Sequence, residues 1–190
     1  MHSHFTVILD ACVLYPATLR NVLMQLATTS LFRAKWTDAI REEWTRNLLQ
    51  DKPDITGEHI TKLCELMEAA VPDCLVTGYE PLVDGLTLPD PDDRHVLAAA
   101  IRCHAAIIVT TNLKDFPAEL LAPLGVRAQH PDDFITHLLD LDTGAVCNAV
   151  KTVRARLKKP PRSVEELLDL LQKQGLPESV SVLQNFAELL

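Results

Sequence analysis

The chain has 190 residues, 47% of them hydrophobic and 23% charged, and a formal net charge of −8. This composition is typical of a globular protein and excludes collagen-like and low-complexity chains. The longest apolar runs, such as residues 105–109, are far shorter than the roughly 20 residues that cross a bilayer. Because no basic signal segment precedes the first predicted strand either, we expect a cytoplasmic protein that does not enter the membrane.

Charge is distributed unevenly along the chain. Residues 1–140 have a balance of −9, whereas residues 141–190 have a balance of +1 and include six cations and no acid within residues 151–162. An acidic main region is poorly suited to non-specific duplex binding, but it is compatible with a site that concentrates divalent cations. The five cysteines form no Cys-x-x-Cys pair, which argues against a disulfide framework and a structural zinc site.

Short strands alternate with helices over the first two thirds of the chain. Strands are predicted at residues 5–9, 32–36, 74–77, 106–110 and 126–128, with helices after Pro16, Thr37, Thr56, Asp93 and Pro131. Few hairpin signals separate these elements, which favours an α/β fold with a parallel sheet flanked by helices. The strand at 106–110 is apolar on both faces, as expected of a central strand.

After about residue 140 the pattern predicts helices only. Three amphipathic segments follow one another, and Ser163 with Glu166 forms a capping box at the start of the second. We therefore expect an α/β domain at residues 1–140 and a helical C-terminal extension at residues 141–190. The apolar stripes of the extension must pack against the main domain, against each other or against a partner, which includes a second copy of the chain.

Four acidic residues stand at comparable places: Asp10 after the first strand, Glu43 on a helix, Asp93 at a helix start and Asp115 after the strand that ends at Thr110. The carboxyl ends of parallel strands meet at one edge of a sheet, which would gather Asp10, Asp93 and Asp115. Two carboxylates about 4 Å apart repel by roughly 4 kcal/mol, so a convergent set needs a cation or bound protons. Ligand sets made only of oxygen favour Mg²⁺ or Mn²⁺ over zinc.

Structural roles are an alternative for three of these acids. Asp93 could be only a helix N-cap, and Asp115 could be a turn residue. Glu43 could lie on a solvated helix face, where Glu42 competes with it as a candidate. Asp10 is the hardest to explain structurally, because a carboxylate at the end of a buried strand is poorly placed to serve folding.

Four segments carry a resemblance to a known family. They are residues 7–11 (Val-Ile-Leu-Asp-Ala), 40–44 (Ile-Arg-Glu-Glu-Trp), 90–100 (Asp-Pro-Asp-Asp-Arg-His-Val-Leu-Ala-Ala-Ala) and 109–116 (Val-Thr-Thr-Asn-Leu-Lys-Asp-Phe). In their order and separation they resemble the PIN-domain nucleases, in particular the VapC-type toxin branch. The resemblance covers roughly residues 5–135 and leaves out the helical extension.

The resemblance implies a Rossmann-like parallel sheet with an acidic pocket that holds one or two Mg²⁺ or Mn²⁺ ions and cleaves single-stranded RNA. By position, Asp10, Glu43, Asp93 and Asp115 match the acidic quartet of the family, as both metal ligands and catalytic residues, with Glu42 as the substitute for Glu43.

Other residues are candidates for contacts with the substrate. Thr110 and Asn112 match polar residues that commonly follow the fourth strand in the family. In the basic stretch, Arg154 and Lys158 are candidates for RNA phosphates, and a solvated helix face is the alternative interpretation.

The sequence therefore favours a divalent-metal-dependent endoribonuclease, the toxin of a toxin–antitoxin pair, with a small antitoxin protein and a homodimer as the expected partners. The alternatives are a housekeeping nuclease and a catalytically inactive PIN-like module that binds RNA or protein. A phosphotransfer enzyme that uses Asp10 as the acceptor is disfavoured, because Cys12 stands where hydrolases of that type carry a second acid.

Overall fold

A four-stranded parallel sheet forms the centre of the protein in the computed structural model, which describes residues 5–190. Its strands are β1 (Phe5–Leu9), β2 (Phe32–Lys35), β3 (Ile107–Val109) and β4 (Arg127–Gln129), in the order β2-β1-β3-β4. The predicted α/β class with a parallel sheet is thereby confirmed. Residues 1–4, which the predicted first domain includes, lie outside the described residues.

The strand predicted at residues 74–77 is wrong. This segment makes only an isolated bridge between Leu75 and Trp36. Asp73 and Gly78, which flank it, have positive φ angles of 59° and 71°. These left-handed residues turn the chain away on both sides, so the segment is too short to extend the sheet beyond β2.

Helices cover the sheet and continue to the C-terminus. Their bounds are α1 Ala11–Leu14, α2 Ala17–Ala27, α3 Asp38–Asp51, α4 Gly57–Ala70, α5 Glu80–Val83, α6 Arg94–Arg102, α7 Ala118–Leu121, α8 Pro131–Leu141, α9 Thr143–Arg156, α10 Val164–Lys173 and α11 Pro177–Gln184. The predicted caps are confirmed at Thr37 and Thr56 and at the capping box of Ser163 with Glu166. Within the described residues, no helix is long and apolar enough to cross a membrane.

The central strands place their carboxyl ends in a fully buried setting. Ile8 pairs with Ile108 and Leu9 pairs with Val109 across β1 and β3, and all four side chains are completely buried. Burial on both faces holds the two strand ends in fixed register. The residues that follow them, Asp10 and Thr110, are consequently held next to each other.

The C-terminal extension packs against the α/β core through α9 on α2 and α11 on α8. Its three helices are confirmed as α9, α10 and α11. A buried carboxylate joins the two parts: the backbone N–H groups of Glu178 and Ser179 donate to Asp132 at 2.9 and 2.8 Å. Helix α8 ends at Leu141, and the predicted division between residues 140 and 141 stays a prediction.

Candidate active site

Asp10 lies at the carboxyl edge of the sheet, directly after β1, and is 3% exposed. Its Oδ1 accepts a hydrogen bond from the Ala11 N–H at 2.7 Å, so the carboxylate caps the short helix α1. Its Oδ2 accepts a hydrogen bond from Thr110 Oγ1 at 2.7 Å. The carboxylate therefore has one defined orientation, set by residues from two neighbouring strand ends.

Thr110 is fully buried and connects Asp10 to the loop after β3. While its hydroxyl donates to Asp10, its oxygen accepts from the Asn112 N–H at 3.0 Å. The structure thus places Thr110 where it orients a carboxylate. Asn112 is exposed on the following loop and caps no helix through its side chain.

Cys12 also belongs to this network, although no sequence motif pointed to a role for it at the site. Its Sγ donates to Asp10 Oδ2 at 3.2 Å and accepts from the Thr111 N–H at 3.3 Å. Burial, followed by the charge of Asp10, raises the pKa of this thiol to about 11. At neutral pH the thiol stays protonated, so it acts as a hydrogen-bond donor to the carboxylate rather than as a nucleophile.

Further carboxylates from separate segments contribute to the same charged region as Asp10. Burial raises the pKa of Asp93 to about 7, and the charges of Asp10, Asp90, Asp115 and Glu43 contribute after burial. The four acids that the sequence singled out therefore share one negatively charged region. Within residues 5–190, however, no three of them are grouped so that they could hold a metal ion together.

Helix α3 presents Glu43, not Glu42, to this region. Burial and then the charge of Asp10 raise the pKa of Glu43. Glu42 is exposed and lies with Thr45 and Leu49 along a different part of the helix surface. The geometry thus favours Glu43 over its neighbour as the fourth acid.

His95 is a second residue at the site to which no sequence motif gave a role. It lies on α6, two residues after Asp93, and its Nε2 is 4.0 Å from Glu43 Oε2. Its Nδ1 is buried and has no hydrogen-bond partner. Burial lowers the pKa of the imidazole, while the charges of Asp10 and Asp92 raise it. The sequence signal that could have identified His95 is its position two residues after Asp93. The segment was interpreted only as the start of a helix, so this signal was missed.

The donor set is suited to a hard divalent cation. In the part of the chain that the structure describes, no lysine or arginine forms an ion pair with Asp10, Glu43, Asp93 or Asp115. No group of three His, Cys, Asp or Glu side chains within residues 5–190 is close enough to form a complete ligand cluster. Mg²⁺ commonly binds through only one or two carboxylates and keeps several waters, so the residues fit such an ion.

The predicted phosphate contacts lie in the C-terminal extension. Arg154 donates to the backbone oxygens of Arg162 and Leu190 at 3.4 and 3.2 Å, so its guanidinium is engaged within the protein. Lys158 is exposed and lines a cavity that also borders α2.

The raised pKa of Asp93 predicts an inverted pH dependence of stability. The folded pKa of about 7 exceeds the ordinary value of 3.8, so the folded state binds more protons between these values. The free energy of unfolding of the metal-free protein should therefore fall as pH rises through this window. At pH 8 the Asp93→Asn variant should be more stable than the wild type by about 1 kcal/mol, after discounting for solvent screening. Its Tm should accordingly be roughly 2–4 °C higher.

Thermal unfolding of both proteins in chelator, at pH 4 and pH 8, checks this expectation. The difference in Tm should disappear at pH 4, where Asp93 is protonated in the folded wild type. An equal difference at both pH values would show that charge repulsion is not its cause.

Two protein-family models match the chain. The one described as "PIN domain" matches residues 6–114, and the one described as "VapC50 C-terminal domain" matches residues 131–185. A relative from Mycobacterium tuberculosis named "Putative ribonuclease VapC50" is 46% identical over 97 residues. That alignment spans 51% of this chain and 57% of the relative. No solved structure matches the chain.

Proposed function

Since the chain belongs to the PIN-domain family and to its VapC-type branch, we propose that it is a divalent-metal-dependent endoribonuclease that hydrolyses RNA phosphodiester bonds. The observation that supports the proposal is that the charges of Asp10, Glu43 and Asp115 all raise the pKa of Asp93, while none of the four acids forms an ion pair with lysine or arginine among the described residues. The name of the mycobacterial relative, a ribonuclease, agrees with this chemistry.

Each acid has a proposed role in the reaction. Asp10 and Asp93 would hold the ion, and Glu43 or Asp115 would orient the attacking water or accept its proton. PIN nucleases generally use divalent metal ions, and Mg²⁺ and Mn²⁺ are the ions that an oxygen donor set favours. When bound, such an ion neutralises charge on the phosphate and promotes ionisation of water.

The chain's own residues prepare this site before any ion binds. Thr110 and Cys12 donate to the same oxygen of Asp10, while the Ala11 N–H holds the other. These three hydrogen bonds hold the carboxylate in one orientation and leave about one of its roughly four lone-pair positions free. Asn112, exposed on the loop that Thr110 anchors, is the proposed contact for the RNA strand next to the scissile bond.

We further propose that the protein is a cytoplasmic toxin controlled by a small antitoxin protein, and that it forms a homodimer. The match to the VapC50 C-terminal domain and the ribonuclease relative support membership of this branch. The alternative is a PIN-like module that binds RNA or protein without cleaving it. One observation favours the alternative: the carboxylates of residues 5–190 form no complete ligand cluster.

The decisive experiment compares purified wild type with Asp93→Asn on single-stranded and structured RNA, with Mn²⁺ and with chelator. We expect cleavage only by the wild type and only with Mn²⁺, because the neutral amide of the variant cannot supply the negative charge that binds the ion. Glu42→Gln, which removes an exposed acid from α3, is the matched control and should cleave like the wild type. Equal cleavage by wild type and Asp93→Asn would indicate a contaminating nuclease, and no cleavage by either would favour the binding module.

A further inference from the structure

The C-terminal extension forms one wall of a cavity of about 470 Å³ against the start of α2. Thr18 lines the cavity from α2, Arg156 lines it from the end of α9, and Lys158, Lys159 and Arg162 line it from the segment that follows α9. Among residues 5–190, no acidic residue contributes to its lining. We call this cavity the cationic cleft.

Three of the four cations are available to a ligand. Arg156, Lys158 and Lys159 are exposed and form no ion pair within the described residues. Arg162 lies 3.6 Å from Glu166 and is partly neutralised by it. In a protein with a net charge of −8, three unpaired cations around one cavity indicate an anionic ligand with several charges.

Contacts within the protein hold the cationic cleft in shape. Arg154 donates to the backbone oxygens of Arg162 and Leu190, which ties the end of α9 to both residues. On the opposite wall, the Leu19 N–H donates to Gln174 Oε1 at 2.9 Å and joins α2 to the end of α10. The cations therefore lie on a packed surface rather than on a loose tail.

One wall of the cationic cleft is close along the chain to the acidic site. Helix α2 follows β1 after the single turn of α1, and Thr18 near its start is eight residues after Asp10. The chain from Asp10 to Thr18 can span at most about 20 Å. A polyanionic strand a few units long can therefore reach from one site to the other.

We propose that the cationic cleft binds backbone phosphates of the same RNA strand whose scissile bond lies at the acidic site. This inference rests on the proposed nuclease function and gives the C-terminal extension a role in it. An acidic pocket repels phosphates, so the binding energy of the strand must come from cations outside the pocket. The cationic cleft supplies those cations, and its guanidinium groups match the geometry of phosphate oxygens.

The test measures RNA binding in the cleavage-deficient Asp93→Asn background. A fluorescein-labelled single-stranded RNA is titrated with this protein and with the same protein carrying Arg156→Gln, Lys158→Gln and Lys159→Gln, and anisotropy is followed over a range of salt concentrations. We expect the triple variant to bind at least about tenfold more weakly at 0.15 M salt. The slope of log Kd against log salt should fall by about two, since each single-strand phosphate contact contributes about 0.7.

The matched control replaces three exposed cations that do not line the cationic cleft, Lys62, Arg127 and Lys151, by Gln. This control variant removes the same net charge as the triple variant. It should retain nearly all of the affinity for the RNA and nearly the same slope of log Kd against log salt. An equal loss in both variants would show a general charge effect and overturn the proposal. Circular dichroism and thermal unfolding of each variant establish that the comparison is between folded proteins.

Competition with poly-L-glutamate separates a nucleic-acid cleft from a docking site for an acidic protein. If RNA is the ligand, poly-L-glutamate should displace labelled RNA only at much higher charge concentration than unlabelled RNA does. Displacement at equal charge concentration would overturn the proposal in favour of an acidic protein partner. The assay measures binding by a variant that does not cleave, so its result is independent of the cleavage experiment. The proposal for the cationic cleft can fail while wild-type cleavage is observed, and it can hold while no cleavage is observed.

Discussion

Replacement of Asp10 by Asn is expected to lower metal-dependent RNA cleavage by at least about a thousandfold while the protein remains folded. Several kcal/mol of transition-state stabilisation are attributed to a metal ion in hydrolysis, and about 1.36 kcal/mol corresponds to a factor of ten in rate. Asn keeps the size of the side chain, and its oxygen can still accept from the Ala11 N–H, but its NH2 group replaces the oxygen that accepts from Thr110 and Cys12. The effect of the missing charge must therefore be measured separately from any effect on stability.

Two measurements separate these causes. Titration of Mn²⁺ should give a saturable signal for the wild type and none for Asp10→Asn, while thermal unfolding of the two metal-free proteins should show that both are folded at the assay temperature. Asp54→Asn, which removes an exposed acid, is the matched control and should bind Mn²⁺ like the wild type. Undiminished Mn²⁺ binding by Asp10→Asn would contradict the assignment of Asp10 as a ligand.

Replacement of Asp132 by Ala should lower the free energy of unfolding by about 3 kcal/mol, because it removes two charge-assisted hydrogen bonds and leaves their donors unpaired. The carboxylate is 5% exposed and accepts from the N–H groups of Glu178 and Ser179 in the first turn of α11. A negative charge at this end of a helix is also favourable for the helix dipole. The Tm should fall by roughly 6–12 °C.

The neighbouring Asp133 provides the control for this change. It is exposed on α8, so Asp133→Ala should shift the unfolding midpoint far less. Denaturant unfolding and thermal unfolding of both variants give the measurement. Equal midpoints for the two variants would show that the buried carboxylate does not hold the extension to the α/β core.

The strands and helices near the site show which structural features local sequence patterns can predict. The apolar run before Asp10 and the cap at Thr37 predict β1 and α3 correctly, because both signals depend on residues close in sequence. The segment at 74–77 is also β-branched in character, but the residues on both sides of it have left-handed backbone conformations. A hydrophobic pattern does not show that Asp73 adopts a left-handed conformation, so the prediction of a fifth strand was wrong.

Some residues of the candidate site could likewise be identified from the sequence, and others only from the structure. The position of Asp10 at the end of a buried strand already distinguishes it from a surface acid. The contribution of Glu43 depends on how α3 packs, and neither its spacing nor that of Glu42 decides between the two. Cys12 and His95 were missed because their contacts, with Thr111 and with Glu43, join segments far apart in the chain.

By itself the sequence determined the alternation of strands and helices, the parallel α/β class, the helical extension and the set of candidate acids, since periodicity, caps and residue type are local properties. The packing of the folded chain alone decided which acids share one electrostatic region, which groups orient Asp10, and that the basic segment closes a cleft against α2. The reason is physical: distances between groups remote in sequence are set by the burial of many side chains at once, and no short stretch of residues contains that information.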